Sequence, residues 1–377
     1  MLGGTVLFDH GPDEGGGLFA RPSAVIRASD ADEVPQALAA MQAAQDAGYW
    51  LAGMASYELG YVVSPKLRPL LPPGRDVPLI EFGVFDRPRP EAGFLAGLRP
   101  DAVTLSAPVP RVAHADYAAA FARLHSYIGA GDVYQANLTF PMDARCSGDP
   151  RALYLALRAA QPVPYGAYHD LGGPVILSRS PELFFSISDG VIETRPMKGT
   201  QPRGATPEQD AAAVAFLQAD EKNRAENLMI VDLLRNDVSR LCRPGSVRVQ
   251  DLFAVETYAT VHQMTSLVRG ALDGPVPLAD LFAALFPCGS VTGAPKIRAM
   301  QIIRELEPDP RGAYCGALGW IAPTGDMRFN VAIRTLTLFG DRVRLNVGGG
   351  VVWDSTAASE YEEALWKARY ATLPLMA

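Results

Sequence analysis

The sequence predicts an α+β fold in which antiparallel β-sheets pack with helices. Two observations carry that expectation. Strand-like runs come in pairs joined by tight turns, at Ser188-Asp189-Gly190 and at Gly340-Asp341. Such pairs favour antiparallel sheet over repeated strand–helix–strand units. The chain has 377 residues, 48% apolar and 20% charged, enough for a large core and for one big domain or two.

Taken in order, residues 1–110 read as an N-terminal α+β region packed on the rest, and residues 111–377 as the main unit. Val34 to Ala47 has the apolar spacing of a helix, and Trp50 to Tyr57 follows as a strand. Pro65 to Pro110 is proline-rich and forms the connection, but apolar runs such as Leu79 to Phe85 tie it to the body. Asp116 to Gly129 reads as a helix and Val133 to Phe140 as a strand. Leu183–Ile187 and Val191–Arg195 make the first hairpin. Thr206-Pro207-Glu208-Gln209 has the cap, the first-turn proline and the capping-box glutamine of a helix start. The helical pattern then runs to Asn236, too long for one helix, and Asp220 is placed to cap a second. Phe329–Phe339 and Val343–Val347 make the second hairpin. Ser359 and Glu362 have capping-box spacing and set the start of the last helix.

Composition excludes several classes. Net charge is −7, from 34 basic and 41 acidic residues, with no basic stripe interleaved with aromatics, so nucleic acid is not an expected partner. Cys146, Cys242, Cys288 and Cys315 lie far apart with no CxxC pair, which suggests neither structural zinc nor a disulfide framework. The N-terminal stretch lacks a signal-peptide pattern, and no apolar run approaches the roughly 20 residues of a membrane span. No membrane contact and a cytoplasmic location are expected.

Lys198, in Thr194-Arg195-Pro196-Met197-Lys198-Gly199-Thr200, is the most informative residue. Proline and glycine fix the backbone around it. A fixed amine with a lowered pKa can act as a nucleophile; alone, the motif also fits a surface lysine. Glu182, at the start of the strand leading to Lys198, is a general-acid candidate if burial raises its pKa, or a strand-end surface residue. Glu226 lies on a helix apolar on almost every side. It is either half of an internal ion pair with Arg224 or Arg235, or a metal ligand. Glu363 and Lys367 are four apart on one helical face, the spacing of an exposed ion pair. Glu226 and Glu363 together could hold Mg²⁺, which takes oxygen ligands and commonly binds one or two carboxylates plus an anionic substrate. Positive potential comes from Arg334, read within a strand, from the Gly348–Gly350 run as an anion-binding nest, and from Gly289-Ser290 leading into a helix with Pro295 at its first turn. Each glycine group also fits a tight turn. No histidine sits in a motif, and Cys315 reads as a small core residue.

From about residue 115 onward, these motifs resemble those of the chorismate-utilising enzymes. They are GDVYQANLT (131–139), SPELF (180–184), RPMKGT (195–200), AENLMIVDLLRND (225–237), CGSVTGAPKIRAM (288–300), YCGALGW (314–320), AIRTLT (332–337), GGGVVWDS and EYEEALWKA. The resemblance implies large antiparallel sheets with surrounding helices, and a chorismate-binding catalytic region at 111–377. Water-adding members carry a general-base lysine where Gln135 stands, and Gln cannot take a proton. Anthranilate-forming members usually have Ala where Lys198 stands. The combination of Gln135 and Lys198 resembles members that form 4-amino-4-deoxychorismate for para-aminobenzoate and folate synthesis; anthranilate synthase component I is the alternative. By this resemblance Lys198 attacks chorismate, Glu182 protonates the leaving hydroxyl, Glu226 and Glu363 bind Mg²⁺, and Gln135, Thr200, Ser290, Tyr314, Arg334, Gly350 and Lys367 hold the substrate. Many relatives have His at the position of Gln263; here His262 precedes it and should face the other way. No glutaminase pattern and no lyase domain are visible, so a separate glutamine amidotransferase subunit supplying ammonia and a separate pyridoxal-phosphate lyase are implied.

Overall fold

The computed structural model describes residues 4–12, 17–258 and 261–372. Among them, two ten-stranded antiparallel sheets form the body. The first runs in the order Gly293–Ala294, Gln135–Ser147, Arg342–Val351, Thr335–Phe339, Val175–Ser180, Tyr165–Asp170, Thr5–Phe8, Gly17–Ala20, with Thr104–Leu105 and Val109–Pro110 also paired to Gln135–Ser147. The second runs Met197–Pro202, Val261–Ala271, Val191–Arg195, Leu183–Ser188, Met327–Asn330, Ala317–Ile321, Trp50–Ala55, Ile80–Phe85, Ala24–Ala28, with Arg248–Thr257 also paired to Val261–Ala271. Residues before 110 thus supply strands to both sheets: Thr5–Phe8 pairs with Tyr165–Asp170, and Trp50–Ala55 with Ala317–Ile321.

Apolar side chains of both sheets meet in one cluster that includes Val6, Ile176, Ala52, Leu318 and Trp320. Burial of this layer drives the two faces together. Helices cover the outer faces. His114–Gly129 and Ala357–Lys367 pack over the first sheet, where Tyr361 stacks on Phe140 and meets Tyr117. Val34–Asp46 and Leu278–Leu285 cover the second, with Phe282 edge-on to Phe329.

Local signals account for most elements. The first hairpin turns at Asp189 (φ +50°) and Gly190 (φ +72°), both left-handed, as a two-residue turn of this kind requires. Thr206 caps the Pro207–Ala219 helix by accepting from the Gln209 N–H, and Asp220 caps Glu221–Ser239 by accepting from the Asn223 N–H. The long helical pattern therefore breaks where Asp220 placed the break.

Three local expectations are corrected. The run 329–339 is not one strand. Met327–Asn330 belongs to the second sheet and Thr335–Phe339 to the first, with Arg334 in the crossing at φ +50°. Gly348–Gly350 is not a nest after a strand but part of the Arg342–Val351 strand, paired with Thr139, Leu138 and Asn137. The last helix starts at Ala357 with Thr356 as its cap, its hydroxyl accepting from the Ser359 N–H, rather than with Ser359 as the cap.

Candidate active site

Lys198 sits on a β-bulge. Met197 pairs with Thr265 and Thr200 with Gln263, so residues 198 and 199 together stand against Met264. Gly199, at φ +83°, supplies the left-handed step this bulge needs. The bulge turns the lysine inward: a methyl group added at Gly350 would lie 3.2 Å from Lys198 Nζ and 2.6 Å from Gln135 Nε2. Desolvation pushes the Lys198 amine below the usual lysine range. Glu226, Glu182 and Glu363 oppose this, while the charge of Lys367 adds to it.

Glu182 lies where the chain leaves Ser180 in the first sheet and enters the second at Leu183. Pro181 has no N–H to satisfy and suits this crossing. The Arg334 crossing lies beside it: the Val331 N–H donates to the Glu182 carbonyl (3.1 Å) and the Arg179 N–H to the Arg334 carbonyl (2.9 Å). The two crossings thus run side by side along the backbone where the sheets part. The Glu182 side chain is 6% exposed, and its Oε1 has no hydrogen-bond partner. Burial raises its pKa to about 7, against the opposing effects of Ser290 and Lys198.

Gln135 is fully buried with both amide atoms unpartnered, an arrangement that costs free energy until a ligand supplies the bonds. Ser290, 6% exposed, sits in the short Gly289–Val291 turn beside Cys288. Tyr314 is buried just before Cys315 (φ +62°), whose N–H donates to Ala332 and docks this turn on the Arg334 crossing. Thr200 does not join this group. It is exposed, and its hydroxyl donates to Gln263 Oε1. His262 faces the opposite side, as strand alternation required, and bonds Asp210 and Thr257.

Among the described residues Arg334 has no carboxylate partner. Burial lowers its pKa, opposed only by Tyr370. A half-buried cation without an anion destabilises the free protein and stands ready for an anionic ligand. Arg334→Met is therefore expected to raise the melting temperature of the ligand-free chain by about 1–2 °C, for about 1 kcal/mol, while abolishing stabilisation by the ligand. Thermal scans with and without ligand check both parts.

Three glutamates gather at the other side of Lys198. Glu226, half-buried on Glu221–Ser239, makes no hydrogen bond and no ion pair among the described residues. The internal pairs considered from sequence do not form, because Arg235 bonds Asp232 and Arg224 lies over the Phe253 ring. Nor is its helix apolar on most sides: Arg224, Ala225 and Leu228 are exposed. Glu363 pairs with Lys367 at 2.9 Å, and Lys367 Nζ also donates to the Gly348 carbonyl. Burial opposes ionisation of Glu363, but Lys367 and then Lys198 hold its pKa below the usual value. Glu360 was missed by sequence reasoning. It lies three residues before Glu363 on the same helix, a spacing visible in the sequence. Burial raises its pKa, the Ser355 hydrogen bond opposes, and the charges of Glu363 and Glu226 raise it further. The glycines keep this zone open: a methyl group at Gly349 would meet Glu360 Oε2 at 2.9 Å and Lys367 Nζ at 3.4 Å.

Such a donor set suits a hard divalent cation. Its atoms are carboxylate oxygens in one another's field, one of them unpaired. Among the described residues no group of three or more His, Cys, Asp or Glu side chains is placed to hold a metal ion by itself. Mg²⁺ does not need one, since it keeps several waters and shares its ligands with an anionic substrate.

On the opposite side of the same strands lies a cavity of about 380 Å³, lined by Pro164, Tyr165, Pro181, Leu183, Met197 and Tyr258 among others. Its lining alternates with Glu182 and Lys198 along the chain, so it opens behind the amine and carboxyl pair. No helix among the described residues is long and apolar enough to cross a membrane.

Comparison with known proteins agrees with this geometry. Residues 99–372 match the family model for chorismate binding enzyme. Aminodeoxychorismate synthase component 1 of Klebsiella aerogenes is 46% identical over 252 residues, 67% of this chain and 56% of that protein. Anthranilate synthase component 1 of Cereibacter sphaeroides is 42% identical over 259 residues, 68% of this chain and 51% of that protein. The chain thus spans little more than half the length of these curated relatives. The crystal structure of anthranilate synthase component I from Streptococcus pneumoniae superposes with a TM-score of 0.74 at 29% identity, covering 86% of this chain and 80% of that one. With two large antiparallel sheets, a shared fold and a family match over most of its length, the chain belongs to the chorismate binding enzyme family.

Proposed function

We propose that this chain aminates chorismate with ammonia, giving 4-amino-4-deoxychorismate through a covalent adduct on Lys198, in the route to para-aminobenzoate and folate. The observation that carries the reading is the pairing of a desolvated lysine with a buried carboxyl group whose pKa is about 7. One group is moved toward the free amine and the other toward the neutral acid, the two forms an allylic displacement needs near neutral pH.

The Lys198 lone pair attacks carbon 2 of the ring. The two ring double bonds shift, the carbon 4–oxygen bond breaks, and Glu182 gives its proton to the departing hydroxyl, which leaves as water. Ammonia then bonds to carbon 4, the double bonds shift back, and the carbon 2–nitrogen bond to Lys198 breaks, restoring the amine. Proton balance is closed by Glu182 regaining the proton that ammonia loses. Gln135 offers the substrate an amide with no other partner, and cannot act as the base that water addition would need. Arg334, Tyr314, Ser290 and the open edge at Gly350 receive the substrate's carboxylates. Mg²⁺ supplies charge neutralisation when bound, and Glu226 and Glu363 are the residues that would hold it, with Glu360 beside them. Lys367 keeps Glu363 ionised and adds positive charge at the same end.

The name component 1 borne by the relatives supports a second subunit. We infer that it is a glutamine amidotransferase supplying ammonia, and that the pair works in the cytoplasm. Anthranilate formation is the competing reading, since relatives of that name match at 42% identity; the resemblance of Lys198 to the carbon 4 aminating members argues against it. The deciding experiment incubates the chain with chorismate, Mg²⁺ and ammonium, with and without a pyridoxal-phosphate lyase. Para-aminobenzoate that forms only with the lyase supports the proposal. Fluorescent anthranilate without it, or chorismate binding with no turnover, refutes it.

Glu226→Gln and Glu363→Gln are each expected to raise the Mg²⁺ concentration for half-maximal rate by about tenfold or more. Unchanged Mg²⁺ titrations in both variants would remove them as ligands.

A further inference from the structure

Gln263 lies directly across from Thr200 on the Val261–Ala271 strand. Its amide is engaged with the lysine-bearing strand at both ends. Nε2 donates to the Gly199 carbonyl at 3.0 Å, and Oε1 accepts from the Thr200 hydroxyl at 2.9 Å. The bulge between Met197 and Thr200 interrupts the regular ladder. A bulge re-aims a side chain, and its set depends on what holds its irregular backbone. Here a side chain holds it. From the other side the bulge is backed by Asn223, whose Oδ1 would lie 3.0 Å from a methyl group at Gly199, and Asn223 is itself tied to the Asp220 cap. His262 is buried on Asp210 and Thr257, and Glu256, opposite Gln263 on the next strand, is paired with Arg195. His262 and Glu256 are thus committed to other partners.

We propose that Gln263 is a positioning residue, which clamps the bulge at Gly199 and Thr200 so that Lys198 is aimed into the site, and which does not itself bind the substrate. This rests on the reading of Lys198 as the nucleophile. Misplacing a reacting atom by about 1 Å can cost about 10²-fold in rate, and substrate binding need not change. The donor to Gly199 is the essential half of the clamp. An imidazole N–H at 263 can supply it, and an aliphatic side chain cannot.

The test compares native chain, Gln263→Leu and Gln263→His in two measurements. In ammonium-dependent amination, Gln263→Leu is expected to lose about tenfold or more in kcat, with KM for chorismate within about twofold, and Gln263→His to recover most of the loss. In amide hydrogen exchange, peptides covering 197–202 should exchange faster in Gln263→Leu, the rest of the chain unchanged, and regain protection in Gln263→His. If Gln263→Leu fails to fold, Gln263→Glu makes the same comparison, since its carboxylate accepts from Thr200 but offers Gly199 no donor. An unchanged kcat, a raised KM with kcat intact, or a His variant no better than Leu would overturn the clamp. Absence of product from the native chain sinks the amination reading instead, and the exchange measurement still decides the clamp.

Discussion

Lys198→Ala is expected to lower ammonia-dependent amination of chorismate by about 10³-fold or more, with Mg²⁺-dependent chorismate binding retained. Without the amine, no bond to carbon 2 can form and the single difficult displacement is no longer divided in two. In the proposed mechanism the carboxylates are held elsewhere, by Arg334, Tyr314 and Ser290, so binding should survive. Lys198→Arg separates charge from nucleophilicity. It keeps a cation beside Glu226 and Glu363, but a guanidinium does not deprotonate near neutral pH, so the rate should stay as low as in the Ala variant. Isothermal titration with chorismate and a coupled lyase assay measure the two parts. Native turnover in either variant would remove the covalent role.

Glu182→Gln is expected to cost about 10²- to 10⁴-fold in kcat, the usual range for loss of a general acid. The amide keeps the size and polarity of the buried group but has no acidic proton for the leaving hydroxyl. The pH profile carries a second test. Glu182 must be protonated to act, and its pKa is about 7, so the native rate should fall tenfold per pH unit well above that value. Lys198 must be unprotonated, so the rate should rise with pH on the acid side, through a lysine pKa lowered mainly by desolvation. Measured at fixed free ammonia, the result is a bell. Glu182→Gln should retain the rising limb and lose the falling one. A falling limb that persists in the variant would assign it to another group.

Elements set by neighbours in the chain were legible in the sequence. The Asp189-Gly190 turn, the Thr206 cap and the break at Asp220 depend on a few adjacent residues and on backbone preferences that act within one turn. The cap of the last helix was misplaced, because Thr356 and Ser359 both offer a hydroxyl at the right spacing, and only the folded chain selects Thr356.

The motif residues themselves, Glu182, Lys198, Glu226, Arg334, Glu363 and Lys367, were recognisable by type and order along the chain. Which of them lie near one another, as Lys198 lies near Glu182, Glu226, Glu363 and Lys367, depends on the folding together of residues far apart in sequence. Arg334 looked like a strand residue since Val331-Ala332-Ile333 and Thr335-Leu336 are individually good strand formers. Only the pairing of its two flanks with different sheets exposes it as a crossing beside Glu182. Gly348–Gly350 looked like a turn because glycine is usually read as conformational freedom. The structure uses these glycines for their missing side chains, leaving room for Lys198, Gln135, Lys367 and Glu360. The chain by itself therefore determined the chemical groups available, the antiparallel class and the local turns and caps. Tertiary structure alone decided which groups are desolvated, which are paired and which stay unpartnered, because burial and electrostatic coupling are properties of distance in space.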